Sequence, residues 1–238
     1  MEGITKKTKD VLDKISSFES IKDYVMIGGT ALSLQLKHRL SEDIDFCQWK
    51  KFKDQKLSVD CTIIEKELAT IGEFKKFFIG NGQVDYIINE VKITFLCDSR
   101  LKQPENLKLL DYKNNVKLAD IHSIGAMKLE VLLRRSTFRD YYDIFSIIKA
   151  GKDFNAIVDD ALKYSKHVLR SRDVISMLSN GSQFDGQDIK HLCPQYNVTP
   201  KDIENFLTPH IKKYAESKGK VFPNKILMPS CEEDNGGF

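Results

Sequence analysis

Met26-Ile27-Gly28-Gly29-Thr30-Ala31-Leu32 and, shortly after it, Arg39-Leu40-Ser41-Glu42-Asp43-Ile44-Asp45-Phe46 decide the reading of this chain. The first stretch reads as a short buried strand from about Tyr24 to Ile27, a glycine turn, and a helix from Thr30 to Lys37. The second reads as a strand whose successive side chains point to opposite faces, so that Asp43 and Asp45 project together while Ile44 and Phe46 face a core. Two carboxylates on one face repel each other, and a divalent cation relieves the repulsion. Asp43 and Asp45 are therefore candidate ligands for Mg²⁺ or Mn²⁺. The Gly28-Gly29 turn lets backbone N–H groups approach an anion closely, and a helix opening near Thr30 aims its positive end at the same spot. The Thr30 hydroxyl is a further donor or the helix cap. Neighbouring anion and cation sites are what a nucleoside triphosphate (NTP) requires, although a glycine pair also serves as an ordinary strand-to-helix turn.

Composition sets the frame. With 238 residues, 41% of them hydrophobic and 30% charged, the chain is long enough for one large domain or two small ones. No apolar run approaches the roughly 20 residues that span a bilayer, and the first residues lack the hydrophobic region of a signal peptide. A globular, cytoplasmic protein with no membrane partner is the expectation. Five widely spaced cysteines without a CxxC pair argue against structural zinc or a disulfide framework. A net charge of +3 does not by itself demand nucleic acid, but basic residues cluster at Lys50, Lys51, Lys53 and Lys56 and at Lys212, Lys213, Lys218 and Lys220.

Periodicity divides the chain. An amphipathic helix opens it, with Val11, Leu12 and Ile15 at helical spacing. A helix from Ile63 to Ile71 precedes strands from Phe74 to Ile79, Val84 to Ile88 and Val91 to Leu96, the last two joined by a tight turn at Asn89-Glu90. After about Val116 alternation gives way to helical spacing that runs nearly to Tyr214, with helices from Phe154 to Leu169 and Pro200 to Tyr214 and a loop from Ser179 to Gln187. The expected organisation is a core over residues 1–118, a helical region over 119–217 that completes the site, and an irregular tail over 218–238.

A third segment runs from Lys128 through Arg134, Arg135, Arg139 and Asp140 to Asp143. Read alone, Lys128 snorkels from an apolar helix, and Arg139 with Asp143 makes an i, i+4 ion pair. A compact positive charge also suits departing pyrophosphate. His38 and His122 have no evident partner in the sequence.

GGTAL, R-x-S-x-D-I-D-F, and K-x5-R followed by RDYYDI, in that order from about Tyr24 to Ile148, together resemble the AbiEii/AbiGii-type nucleotidyltransferase toxin family of the DNA polymerase β-like superfamily. The resemblance implies an α/β fold, a polymerase β-like nucleotidyltransferase domain with a mixed sheet followed by a helical C-terminal region. It implies Asp43, Asp45, Lys128 and Asp143 as catalytic, with Asp43 and Asp45 on the metal. It implies Gly28, Gly29, Thr30, Arg39, Ser41, Lys128 and Arg139 on the nucleotide. Asp140 is a less direct match than Asp143 to the aspartate of the RDxxD segment. As partners it implies an NTP, a cognate antitoxin protein and, as in some members, the acceptor end of a tRNA or other RNA.

The sequence departs from the superfamily at one point. Where a third carboxylate commonly stands on a later strand, this chain has Thr94 in Val91-Lys92-Ile93-Thr94-Phe95. A hydroxyl replaces poorly a charged group that completes a metal shell or accepts a proton. Asp85 on the partner strand and Asp98 on the same strand are alternative compensating acids. Transfer to a small molecule or protein, and an inactive NTP-binding interaction module, are the rival readings.

Overall fold

The computed structural model describes residues 2–52, 54–80, 82–98, 103–165 and 168–219, with only the backbone of Asp98 included. The tail from residue 220, and with it Lys220, as well as Lys53, lies outside the described residues.

Among the described residues, seven strands form one mixed sheet in the order β3-β4-β5-β2-β1-β7-β6. They are β1 (Val25–Ile27), β2 (Ile44–Trp49), β3 (Phe74–Gly80), β4 (Gln83–Ile88), β5 (Val91–Asp98), β6 (Leu109–Lys113) and β7 (Val116–Ala119). The central strand β2 runs antiparallel to β1 and parallel to β5. Strand β7 joins β1 in parallel, and β6 closes that edge as an antiparallel hairpin partner. The β4–β5 turn is the two-residue Asn89-Glu90 expected from the sequence, with φ of 49° and 64° at its two residues, the left-handed pair that a tight hairpin needs.

Alternation separates the two faces of the sheet. Ile44 and Phe46 on β2, Val84, Tyr86 and Ile88 on β4, and Ile93 and Phe95 on β5 are buried on one face. There the Phe46 and Phe95 rings stack with centroids 5.5 Å apart. Helix α1 (Lys6–Ile15) packs near β5, and α3 (Cys61–Leu68) reaches the same face, where Tyr86 donates to Glu65 at 3.0 Å. The other face carries Asp45, Thr94 and Lys92 and stays partly open.

Helix α2 (Gly28–Leu36) starts directly at the end of β1, two residues earlier than the apolar spacing alone suggests. The helical region follows as α4 (Ile121–Arg134), α5 (Phe138–Lys149), α6 (Phe154–Tyr164), α7 (Ser171–Leu178) and α8 (Pro200–Ser217). Each start has a local cause: Asp120, Thr137 and Asp153 cap α4, α5 and α6, and Thr199 with Asp202 forms a capping box ahead of Pro200 on α8. Buried apolar side chains form one cluster from Ile4 to Tyr214, so the helices and the sheet share a core. No helix among the described residues is long and apolar enough to cross a membrane.

Candidate active site

The open face of the sheet, the N-terminus of α2 and the inner side of α4 enclose a cleft of about 340 Å³. Gly28, Gly29, Arg39, Ser41, Asp43, Asp45, Lys128 and Arg139 all line it, so most of the residues singled out in three separate segments meet here. Asp43 immediately precedes β2 and Asp45 is its second residue, both partly exposed.

The glycine pair is packed against functional side chains. Gly28 has φ +73°, and a Cβ there would come within 2.5 Å of Asp45 Oδ2. A Cβ on Gly29 would meet Arg39 Nη2 at 2.7 Å and Ser41 Oγ at 3.1 Å. One turn thus touches a carboxylate on one side and a guanidinium on the other, at a helix start where backbone N–H groups are unsatisfied. Burial pushes the Asp45 carboxyl up from its ordinary value; Lys92 opposes the shift and Asp43 adds to it. A cation between Asp43 and Asp45 would remove that penalty.

Thr30 and Asp143 stand behind the cleft wall. The fully buried Thr30 hydroxyl contacts Ser41 Oγ at 2.9 Å and also bonds the backbone carbonyl of Asp43, tying α2 to the start of the carboxylate strand. Asp143 is fully buried and receives a fork from Arg39, Nε to Oδ1 at 2.7 Å and Nη2 to Oδ2 at 2.8 Å. Lys128 Nζ lies 2.7 Å from the same Oδ2 and 2.6 Å from Asp140 Oδ1. Arg135 Nε at 3.0 Å and Thr137 Oγ1 at 2.7 Å complete Asp140. Arg139, whose spacing suggests a pair with Asp143, lines the cleft instead, and Asp143 is gripped by Arg39 from a distant segment.

The electrostatics follow from this packing. Burial alone would raise the Asp143 carboxyl, but Arg39, Lys128 and His38 outweigh it and hold the group well below the ordinary value. Burial likewise opposes ionisation of Asp140, yet Lys128 and Arg135 bring it down to about 2. Both carboxylates are therefore charged at neutral pH, balanced by Arg39 and Lys128. His38, for which the sequence offers no partner, places Nε2 2.7 Å from Asp143 Oδ1. Burial pushes its own value down despite the carboxylate, so the ring is neutral at pH 7. His122 also has a partner, Asp160 Oδ2 at 2.7 Å, away from the cleft.

The segment bearing His38 and Arg39 is held by two stretches far from it in sequence. Leu40 N donates to Leu192 O at 2.7 Å, Gln195 N to His38 O at 2.7 Å, and Ser41 N to Gly3 O at 3.0 Å.

Lys92, Gln83, Glu130 and Arg135 also line the cleft and are absent from the sequence-based assignment. Lys92 was detectable, because it shares a strand face with Thr94 by period two. Thr94 is paired in register with Asp45 on one side and Asp85 on the other, which puts the three on one row of the open face. The Thr94 hydroxyl is buried without a hydrogen-bond partner, and Asp85 accepts from Gln83 Nε2 at 2.9 Å. The Asp98 side chain lies outside the described residues.

Among the described residues no group of three or more His, Cys, Asp or Glu side chains converges as a metal site. Mg²⁺ commonly takes only one or two protein carboxylates, with water and substrate phosphates supplying the rest. Asp43 and Asp45, beside a glycine cradle too tight for a Cβ, fit that donor set.

Comparison with known proteins gives the family. An uncharacterized protein of Aquifex aeolicus (strain VF5) is 23% identical over 223 residues, covering 91% of this chain and 100% of that protein. The family model described as "Nucleotidyl transferase AbiEii toxin, Type IV TA system" matches residues 10–224. The chain, with its mixed sheet and its glycine turn against Asp45, belongs to the AbiEii family of nucleotidyltransferase toxins of type IV toxin–antitoxin systems.

Proposed function

We propose that this nucleotidyltransferase moves a nucleotide from an NTP to an acceptor hydroxyl on RNA, the 3′ end of a tRNA being the acceptor of choice, and that a cognate antitoxin restrains it. The observation that carries this reading is the contact of Gly28 with Asp45 and of Gly29 with Arg39, which joins an anion cradle to a carboxylate pair. In this reading residues 1–118 supply both, and residues 119–217 complete the site through Lys128 and Arg139.

Asp43 and Asp45 would hold a divalent cation, Mg²⁺ or Mn²⁺, which would supply Lewis-acid neutralisation of the negative charge that builds up during transfer. The N–H groups at Gly28 and Gly29 bind phosphate oxygens, with the positive end of α2 behind them. Arg39 and Ser41 support the turn from below, and Arg139 faces the triphosphate from the helical side. Lys128 lines the cleft with its Nζ held between Asp140 and Asp143, whose charge it offsets; Thr30 and Asp143 thus act by positioning other groups. The acceptor oxygen bonds to the α-phosphorus, the bond to the pyrophosphate oxygen breaks, and the hydroxyl proton is released.

Incubating the protein with each labelled NTP, total RNA and Mg²⁺, beside the Asp43→Ala, Asp45→Ala double variant, tests this. Label in tRNA with the wild type alone is expected. Label on protein or a small molecule instead would replace the RNA acceptor. Thr94 favours one second reading, an NTP-binding module without transfer, since its hydroxyl stands where a third carboxylate is common. That reading requires NTP binding with no pyrophosphate released.

A further inference from the structure

We propose that the open face of β5-β4-β3 is the platform for a single-stranded RNA end, with a base stacked on Phe78 and the backbone running along Lys75 and Lys92. The inference rests on the RNA-acceptor reading above and adds to it the place where the acceptor lies.

Strand β2 sits between β1, which ends in the glycine turn, and β5, which carries Thr94. In-line displacement sets the attacking oxygen opposite the departing pyrophosphate. With the phosphates on the β1 side at Gly28 and Gly29, the acceptor approaches from the β5 side. On that side the register continues outward without a break of face: Asp45 pairs with Thr94, Thr94 with Asp85, and Asp85 with Phe78. Three strand steps of about 4.8 Å put Phe78 roughly 14 Å from Asp45, a span of only a few nucleotides.

The chemistry of this face matches a nucleic-acid strand. Phe78 is 43% exposed on the edge strand, and its ring lies against Gly80, where a Cβ would come within 3.2 Å of it. A bulge between Lys76 and Phe78 turns this ring onto the same face as Asp45. The neighbouring row consists of Lys75, Ile87 and Lys92, two cations either side of an apolar side chain. Asp85, buried next to Phe78 in the same row and bonded by Gln83, disfavours a phosphate beside it, so the backbone follows the lysine row and the base turns toward the ring. The buried, unpartnered Thr94 hydroxyl faces the cleft where the strand enters and offers it a hydrogen bond. An exposed aromatic with lysines beside it on a sheet face is a stacking surface for an unpaired base.

The experiment measures the affinity of full-length protein for a short fluorescent single-stranded RNA with a free 3′ hydroxyl, and KM for that RNA and for the NTP separately. Phe78→Ala is expected to weaken RNA binding and raise the acceptor KM by at least about fivefold, with the NTP KM unchanged. Phe78→Trp is expected to restore both, and Gly80→Val, which displaces the ring, to mimic Phe78→Ala. Unchanged RNA affinity in Phe78→Ala, while the wild type still labels RNA, overturns the platform and leaves the proposed function standing. Absence of RNA labelling by the wild type overturns the proposed function itself. A change in oligomeric state in place of RNA affinity assigns the face to a protein contact and also overturns the proposal.

Discussion

Gly28 and Gly29 are glycines for different reasons, which show in what a Cβ added at each would meet. At Gly28 the backbone is left-handed and Asp45 fills the Cβ position. At Gly29 the obstacle is Arg39 Nη2, which cannot swing aside cheaply because Asp143 holds both ends of its fork. Gly29→Ala is expected to cost about 1–3 kcal/mol of stability through this overpacking and to lower NTP affinity at least tenfold, read by urea unfolding and by NTP titration. The acids at the site divide in the same way. Asp143→Asn strands the buried Arg39 charge and should cost about 3–5 kcal/mol. Asp43→Ala removes a metal ligand and relieves its repulsion with Asp45, so it should abolish transfer while leaving the urea midpoint in metal-free buffer unchanged or raised.

At the scale of elements, the junction of α4 and α5 positions Lys128 relative to the two carboxylates. Thr137 caps α5 through the Asp140 amide and also donates to Asp140 Oδ2 at 2.7 Å. Thr137→Ala is expected to destabilise by about 1–2 kcal/mol, and transfer should fall further than this loss explains because Asp140 loses part of its orientation; activity measured well below the melting temperature separates the two effects. The elements visible in the sequence were those with a local cause: the glycine turn, the alternating β4 and β5, the Asn89-Glu90 turn and the capped α8. Strands β6 and β7 were hidden. Leu109–Lys113 is exposed along its whole length, so no alternation marks it, and Val116–Ala119 is too short to display a period before α4 begins. The Phe154 helix ends at Tyr164, short of the Leu169 that apolar spacing suggested. The partner of His38 was illegible for another reason: nothing near residue 38 hints at a carboxylate more than a hundred positions later.

For the whole molecule, the buried charge cluster sets the response to acid. Asp140 is depressed to about 2 in the folded protein and titrates near 3.8 when unfolded, so the unfolded chain binds its proton first as pH falls. Its contribution is fully present above pH 3.8 and is lost as pH drops toward about 2. Asp143, also held well below its ordinary value, acts in the same direction. Urea midpoints measured from pH 5 downward should therefore fall steeply, and Asp140→Asn should start lower at pH 5 and show a shallower acid limb. Added salt should alter this little, because these pairs are screened far less than surface ones.

The fork between Arg39 and Asp143 closes across 104 positions of chain. Losing Asp143 leaves the Arg39 guanidinium a buried ion without its carboxylate, and losing Arg39 leaves Asp143 with only Lys128 and His38 to hold its charge, so either change alone is costly. Drift at these two places is therefore bound together: across natural variants, positions 39 and 143 should change in concert or stay put, whatever their neighbours do.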